Sequence, residues 1–205
     1  MSGWKVITGP TSEQITLAEA RLHLRLDDDG DSPASHPDDP WLLQNIPTAR
    51  RWCERWMMRA LAPQVVEFTL PAFDNASIDL PMSPITSIVS VKYFDGDYVE
   101  QTLGTDAYTF DDYSHPQRIV LAYGTTWPTT TVVPNAVKVR YHCGYSLRGD
   151  SPYSNPMPDE FRSAMLLVLA DLYENRENSS ADKMQEVCMA AQNLMLHYRL
   201  RLSMA

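Results

Sequence analysis

Apolar and polar positions alternate in two different rhythms along this chain, and the change of rhythm marks its organisation. Leu17, Ala20 and Leu24 fall at helical spacing, with Arg21 and Arg25 flanking them. In front of them stands Thr16-Leu17-Ala18-Glu19, a capping box in which the Thr hydroxyl and the Glu carboxylate satisfy reciprocal backbone donors. The pattern predicts a first helix from this cap to about Leu26. A second stripe of Leu42, Ile46, Ala49, Cys53, Trp56 and Ala60 is spaced by three and four residues. Asp39-Pro40 supplies its start, with Asp as cap and Pro at the first helical position. Pro47 removes one backbone donor inside this helix and predicts a kink, and Pro63 sets its limit. Between the two helices, residues 27–40 (DDDGDSPASHPDDP) follow neither rhythm and are expected to form an exposed acidic loop.

From Gln64 to Tyr145 the period becomes two. Val66, Phe68 and Leu70 alternate with Val65, Glu67 and Thr69. Ile85, Ser87, Val89, Val91 and Tyr93 alternate with Thr86, Ile88, Ser90, Lys92 and Phe94, and Asp95-Gly96 after them is a hairpin signal. Short runs recur at Tyr98–Leu103, Ala107–Phe110, Ile119–Tyr123 and Ala136–Tyr145, which predicts a small antiparallel sheet or sandwich. Helical character returns at Pro158-Asp159-Glu160, whose carboxylates suit the first turn. Phe161, Met165, Val168 or Leu169, and Leu172 are its expected buried face. A last helix, rich in Met and Leu, is expected from about Ala181 to Leu202. The fold class that follows is α+β. A helical bundle of two N-terminal and two C-terminal helices (1–62 and 157–205) carries an inserted antiparallel β domain at 63–156.

Composition narrows the function by exclusion. A formal net charge of −9 argues against a general nucleic-acid binder, since such proteins neutralise phosphates with Lys and Arg. Fifteen prolines against eight glycines point to many rigid turns. Cys53, Cys143 and Cys188 are odd in number and in no CxxC spacing, so a disulfide framework is not expected and a reducing cytoplasm is. The opening MSGWKVITGP shows no apolar signal segment, and the longest uncharged apolar stretch, Ala164 to Ala170, is too short for a bilayer; no membrane partner is expected.

No constellation of residues in the sequence has the spacing that catalysis or metal binding needs. His23, His36, His115, His142 and His197 lie in different segments without a ligand spacing. His142 and Cys143 are adjacent and would point to opposite faces of a strand. Asp27, Asp28, Asp29 and Asp31 around Gly30 suggest a calcium loop but lack its closing Glu, so a solvated acidic loop is the better reading. No phosphate-binding Gly loop or nucleophile elbow occurs, and no catalytic residue, metal or cofactor is assigned. Arg51, Arg55 and Arg59 recur at four-residue spacing as a basic edge of the second helix. This edge is either a solvated face pairing locally with Glu54, or a contact for the acidic loop of an adjacent copy.

The order of segments resembles the head–tail connector (adaptor, or head-completion) family of tailed phages. The likeness runs from about residue 10 to 200. It is carried by Ile15-Thr16-Leu17-Ala18-Glu19-Ala20 with Leu22-His23-Leu24-Arg25, by Arg59-Ala60-Leu61 closing the second helix, and by Leu80-Pro81-Met82-Ser83-Pro84-Ile85-Thr86-Ser87-Ile88. Trp127-Pro128, Val137-Lys138-Val139-Arg140-Tyr141 with Gly144-Tyr145, and Pro158 with Leu172-Tyr173-Glu174-Asn175-Arg176-Glu177 complete it. Pro47 and the length and acidity of the 27–40 loop depart from the family's pattern.

The resemblance implies a non-enzymatic structural protein of the virion neck, made in the host cytoplasm. It implies a homo-oligomeric ring of about twelve copies under the portal protein, extending the DNA channel and offering the tail or tail-completion proteins an attachment surface. Genomic DNA would pass through without sequence-specific binding, and a lumen lined with carboxylates would keep it from sticking. Portal binding is expected at Leu196, Tyr198, Arg199, Leu200, Arg201 and Leu202. Contacts between copies are expected at Arg51, Arg55 and Arg59 and at Asp27, Asp28 and Asp29. The alternatives are another neck or tail-completion protein, or a small hydrolase or binding module with a dispersed site.

Overall fold

A computed structural model describes residues 3–26, 35–73, 76–147, 155–175 and 189–200. The chain is mixed α+β, and it divides into a β unit (1–11, 58–145 and 200–205) and a helical unit (12–57 and 146–199). Residues 1–11 and 58–62, expected in the helical core, therefore belong to the β unit, and 146–156, expected in the β domain, belong to the helical unit.

In the helical unit, α1 (Leu17–Leu24) begins at the expected capping box. The Thr16 hydroxyl accepts from the Glu19 amide at 3.2 Å, and the Glu19 carboxylate accepts from the Thr16 amide at 2.9 Å. Arg25 ends the helix in the left-handed conformation, its N–H donating to the Arg21 and Leu22 carbonyls. Next comes α2 (Asp39–Met57), which continues on both sides of Pro47 and buries Leu42, Ile46, Ala49, Cys53 and Met57. It stops well before Pro63. Met58 takes a left-handed φ of 58°, which turns the chain out of the helix. Arg59-Ala60-Leu61 therefore does not close α2: Arg59 pairs with Ser83 in a parallel bridge and the Ala60 amide donates to the Ser83 carbonyl, within the β unit.

The third helix, α3 (Asp159–Glu174), buries Phe161, Met165, Val168 and Leu169 as expected and Ala164 with them, while Leu172 is only half-buried. Phe161, Met165, Val168 and Leu169 each contribute roughly 1.5–3 kcal/mol on leaving water. Tyr173 fixes the start of α2. Its hydroxyl donates to the Asp38 carboxylate at 2.6 Å, and its ring meets Trp41 edge-on at 5.3 Å. The described part of the last helix, α4 (Met189–Met195), passes into a single tight turn at Leu196–Tyr198. It does not reach Leu202, because Arg199 is already extended (φ −66°, ψ 122°). The expected helical residues 181–188 lie outside the described residues.

The β unit holds two antiparallel sheets. One has the strand order β1 (Gly3–Thr8), β2 (Gln64–Leu70), β8 (Val137–Cys143), β4 (Ile85–Phe94), β5 (Glu100–Thr102); the other has β3 (Ser77–Asp79), β7 (Arg118–Leu121), β6 (Tyr108–Asp111). Their inner faces share one core, in which Val66, Phe68, Val91, Val139 and Tyr141 meet Ile78, Leu80 and Ile119. Strands β1 and β3 were not expected. The first is an edge strand exposed along its whole length, so burial leaves no periodic trace in its sequence.

In β4 the alternation is not the expected one. Irregularities between Ile85 and Ser87 and between Ile88 and Ser90 each insert a residue, so Ile88 packs on the core while Val89 is exposed.

The segment that carries much of the resemblance is a structural joint. Met82 adopts φ 61°, its N–H donates to the Met58 carbonyl, and the Ser83-Pro84 bond is cis. The buried Tyr141 hydroxyl donates to the Pro81 carbonyl at 2.8 Å. Gly144 (φ 108°) donates to the Pro84 carbonyl at 2.8 Å, and a Cβ placed on it would lie 2.1 Å from the Ala62 carbonyl oxygen, so only glycine fits.

Candidate functional site

Several of the chain's charges are taken up inside the fold and are not available to partners. On α2, Arg50 and Glu54 point inward, each about 5% exposed. Arg50 donates from Nε to Glu13 at 2.7 Å and from Nη1 to Glu54 at 2.7 Å. Burial disfavours the Arg50 charge, but Glu13 and Glu54 more than offset it and hold the guanidinium charged. Arg162 on α3 donates to the Gln14 carbonyl at 2.7 Å and to Glu19 at 3.0 Å, tying α1 to α3. Arg21 on α1 donates to Asp39 at 2.7 Å, which holds that carboxyl below its usual range. These arginines are structural.

Of the expected basic edge, Arg51 and Arg55 are exposed on α2, and Arg51 donates from Nε to the Pro47 carbonyl at 3.2 Å. Arg59 is not on that edge, because the helix has ended and Arg59 lies in the β unit. Nor is Glu54 on a solvated face for them to pair with, since it is buried against Arg50. Asp27, Asp28 and Asp29 lie outside the described residues.

At the C-terminal segment, Arg201 and Leu202 are likewise outside the described residues. Leu196 and Arg199 are exposed, and the Arg199 guanidinium lies over the Trp56 ring at 5.1 Å. Tyr198 is half-buried and meets Phe161 edge-on at 4.8 Å. Leu200 is buried, which removes it from any free docking surface. The Met and Leu content of this segment is divided: Met195 is core, whereas Met189, Leu194 and Leu196 are exposed.

A surface not singled out from sequence is the outer face of the five-stranded sheet. Lys5, Glu67 and Arg140 sit directly opposite one another on β1, β2 and β8. Glu67 takes an ion pair from Lys5 at 3.2 Å and another from Arg140 at 2.6 Å. Burial raises its pKa, but the hydrogen bonds from Arg140 and Lys5 prevail and hold it below the usual carboxylate range. On the neighbouring row Lys92 and Lys138 face each other, a like-charge pair that would repel. Glu100 resolves this by accepting from both at 2.9 Å, and those two bonds lower its pKa to about 2. Lys138 also lies over the Phe94 ring at 4.8 Å. The alternation Lys138, Arg140, His142 on one strand was the signal available in the sequence.

Among the described residues no group of three or more His, Cys, Asp or Glu could hold a metal ion, and no helix is long and apolar enough to cross a membrane. Cys53 and Cys143 are buried thiols, and Cys143 Sγ donates to the Gln64 carbonyl at 3.7 Å.

No family model matches this chain, and no curated protein matches it in sequence. Its fold is that of chains in gene transfer agent (GTA) particles. A chain of the virion of the native particle aligns at a TM-score of 0.72 and 20% identity, covering 98% of each chain. Chains from the neck of the empty particle (C6 symmetry) and the neck of the native particle (C12 symmetry) align at 0.70 and 0.67, with 21% and 19% identity. Each of these covers 99% of this chain and 98% of its match.

Proposed function

We propose that this chain is a structural, non-enzymatic subunit of the neck of a tailed-phage or phage-like particle. There it is a head–tail connector that forms a ring of about twelve copies beneath the portal. The observation that carries this reading is a fold shared over nearly its whole length with chains of particle necks treated with sixfold and twelvefold symmetry. The order of sequence segments points the same way. In this reading the ring extends the DNA channel and presents a surface to tail or tail-completion proteins. The channel wall is acidic enough to let DNA slide.

Docking on the portal falls to the C-terminal segment, where Leu196 and Arg199 are exposed beside Met189 and Leu194. Arg51 and Arg55 remain available for the acidic 27–29 segment of a neighbouring copy. The test is binding of the purified chain to purified portal by native mass spectrometry. Wild type should bind in multiple copies, and Leu196→Glu with Arg199→Glu should bind fewer or none. Equal binding by the double variant would remove this segment from the portal contact.

A further inference from the structure

Charge is divided unevenly between the two units. Seven Lys and Arg stand against nine Asp and Glu in the β unit, but ten against seventeen in the helical unit. Within the β unit the outer sheet face runs against the chain's acidic trend. Its two carboxylates are each shared by two cations, so each cluster keeps one surplus positive charge. At the Glu67 cluster the cations are also outermost: the Lys5 and Arg140 side chains are 67% and 43% exposed while Glu67 beneath them is 9% exposed. A surface approaching this face meets Lys5 and Arg140 first at one cluster, and Lys92 level with Glu100 at the other.

We infer that the outer face of the five-stranded sheet is a docking surface for the acidic helical unit of a second copy of this chain. The inference rests on the ring reading above and adds the electrostatic half of its subunit contact. Protein carboxylates fit better than DNA phosphates. Each cation here already shares a carboxylate, and the small surplus that remains suits a few exposed acids more than a polyanion. Exposed acids of the helical unit include Asp159 and Glu160 at the start of α3 and Glu174 near its end. A head-to-tail contact between two different faces is the kind that closes a ring.

Zero-length carbodiimide coupling, which joins amines to carboxylates in contact, tests this on the full chain mixed with portal. Equal amounts of ¹⁴N- and ¹⁵N-labelled copies identify couplings between molecules by their mixed isotope mass. The expected result is mixed-isotope couplings from Lys5, Lys92 or Lys138 to carboxylates within 12–57 or 146–199. Lys5→Gln with Lys92→Gln leaves Arg140 on Glu67 and Lys138 on Glu100, so the fold is kept. This variant should need about two- to tenfold more protein for half-assembly. Rings that form with no such couplings and no change in the variant overturn the inference while leaving the ring reading standing. Copies that never associate, with or without portal, overturn both. Binding of a duplex oligonucleotide that is lost in the variant, with assembly unchanged, assigns the face to DNA and also overturns the inference.

Discussion

The side-chain amide of Gln117 pairs with both backbone polar groups of Ile85, accepting from its N–H at 2.6 Å and donating to its carbonyl at 3.2 Å. Gln117 is buried, and it stands in for a strand partner at the start of β4, just after the cis Ser83-Pro84 bond. Gln117→Leu keeps the volume but orphans a buried N–H and a buried carbonyl. A loss of about 1–3 kcal/mol in urea unfolding with an unchanged m-value is expected. Unchanged stability would mean that water replaces the amide.

Gly144 offers a sharper test of the same joint. A methyl group there meets the Ala62 carbonyl oxygen, and φ of 108° is foreign to residues with a Cβ. Gly144→Ala is expected to cost at least about 1–3 kcal/mol, read as a lower urea midpoint. An unaltered midpoint would refute the close approach of these two segments.

Arg50 sits between Glu13 and Glu54 inside the helical unit. Removing it by Arg50→Ala takes the shared cation from two carboxylates, one of them buried, and a loss of about 3–5 kcal/mol is expected. Arg50→Met combined with Glu54→Leu should regain a large part of that loss, because the one carboxylate that then lacks its arginine, Glu13, is partly exposed to water. A double variant no better than Arg50→Ala would show that the cluster specifies the packing rather than merely tolerating its own burial.

The two lysines on Glu100 make a prediction in pH. Its pKa is lowered from 4.5 to about 2, so the group stabilises the folded state fully above pH 4.5 and loses that contribution as pH falls toward 2. Side-chain carboxyl NMR should show Glu100 titrating near 2 in wild type. In Lys138→Gln it should titrate closer to 4.5, the Lys138 hydrogen bond being the larger cause. An unshifted Glu100 in wild type would deny the two-lysine clamp.

What could be read from the sequence was what local chemistry decides. The Thr16–Glu19 box and the Leu42–Ile46–Ala49–Cys53 stripe are set by residues three and four apart, and they stand where the pattern placed them. Strand β1 was hidden because its partner, β2, lies some sixty residues on and edge exposure leaves no alternation. The bulges in β4 shifted Val89 outward by adding residues that no fixed period anticipates. Among the candidate surfaces, Arg51 and Arg55 were legible as an exposed edge, but Arg59 was not, because a left-handed Met58 ends the helix one residue before it. Arg50 and Glu54 look like solvent-facing charges in sequence. In the structure they are buried, with Arg50 bridging Glu13 and Glu54.

Negative-stain imaging of the purified chain mixed with portal tests the central claim most directly. Assembly of this chain into a closed ring of about twelve copies seated on the portal is the expected result. A chain that stays monomeric and leaves the portal bare at high protein concentration would contradict a connector role.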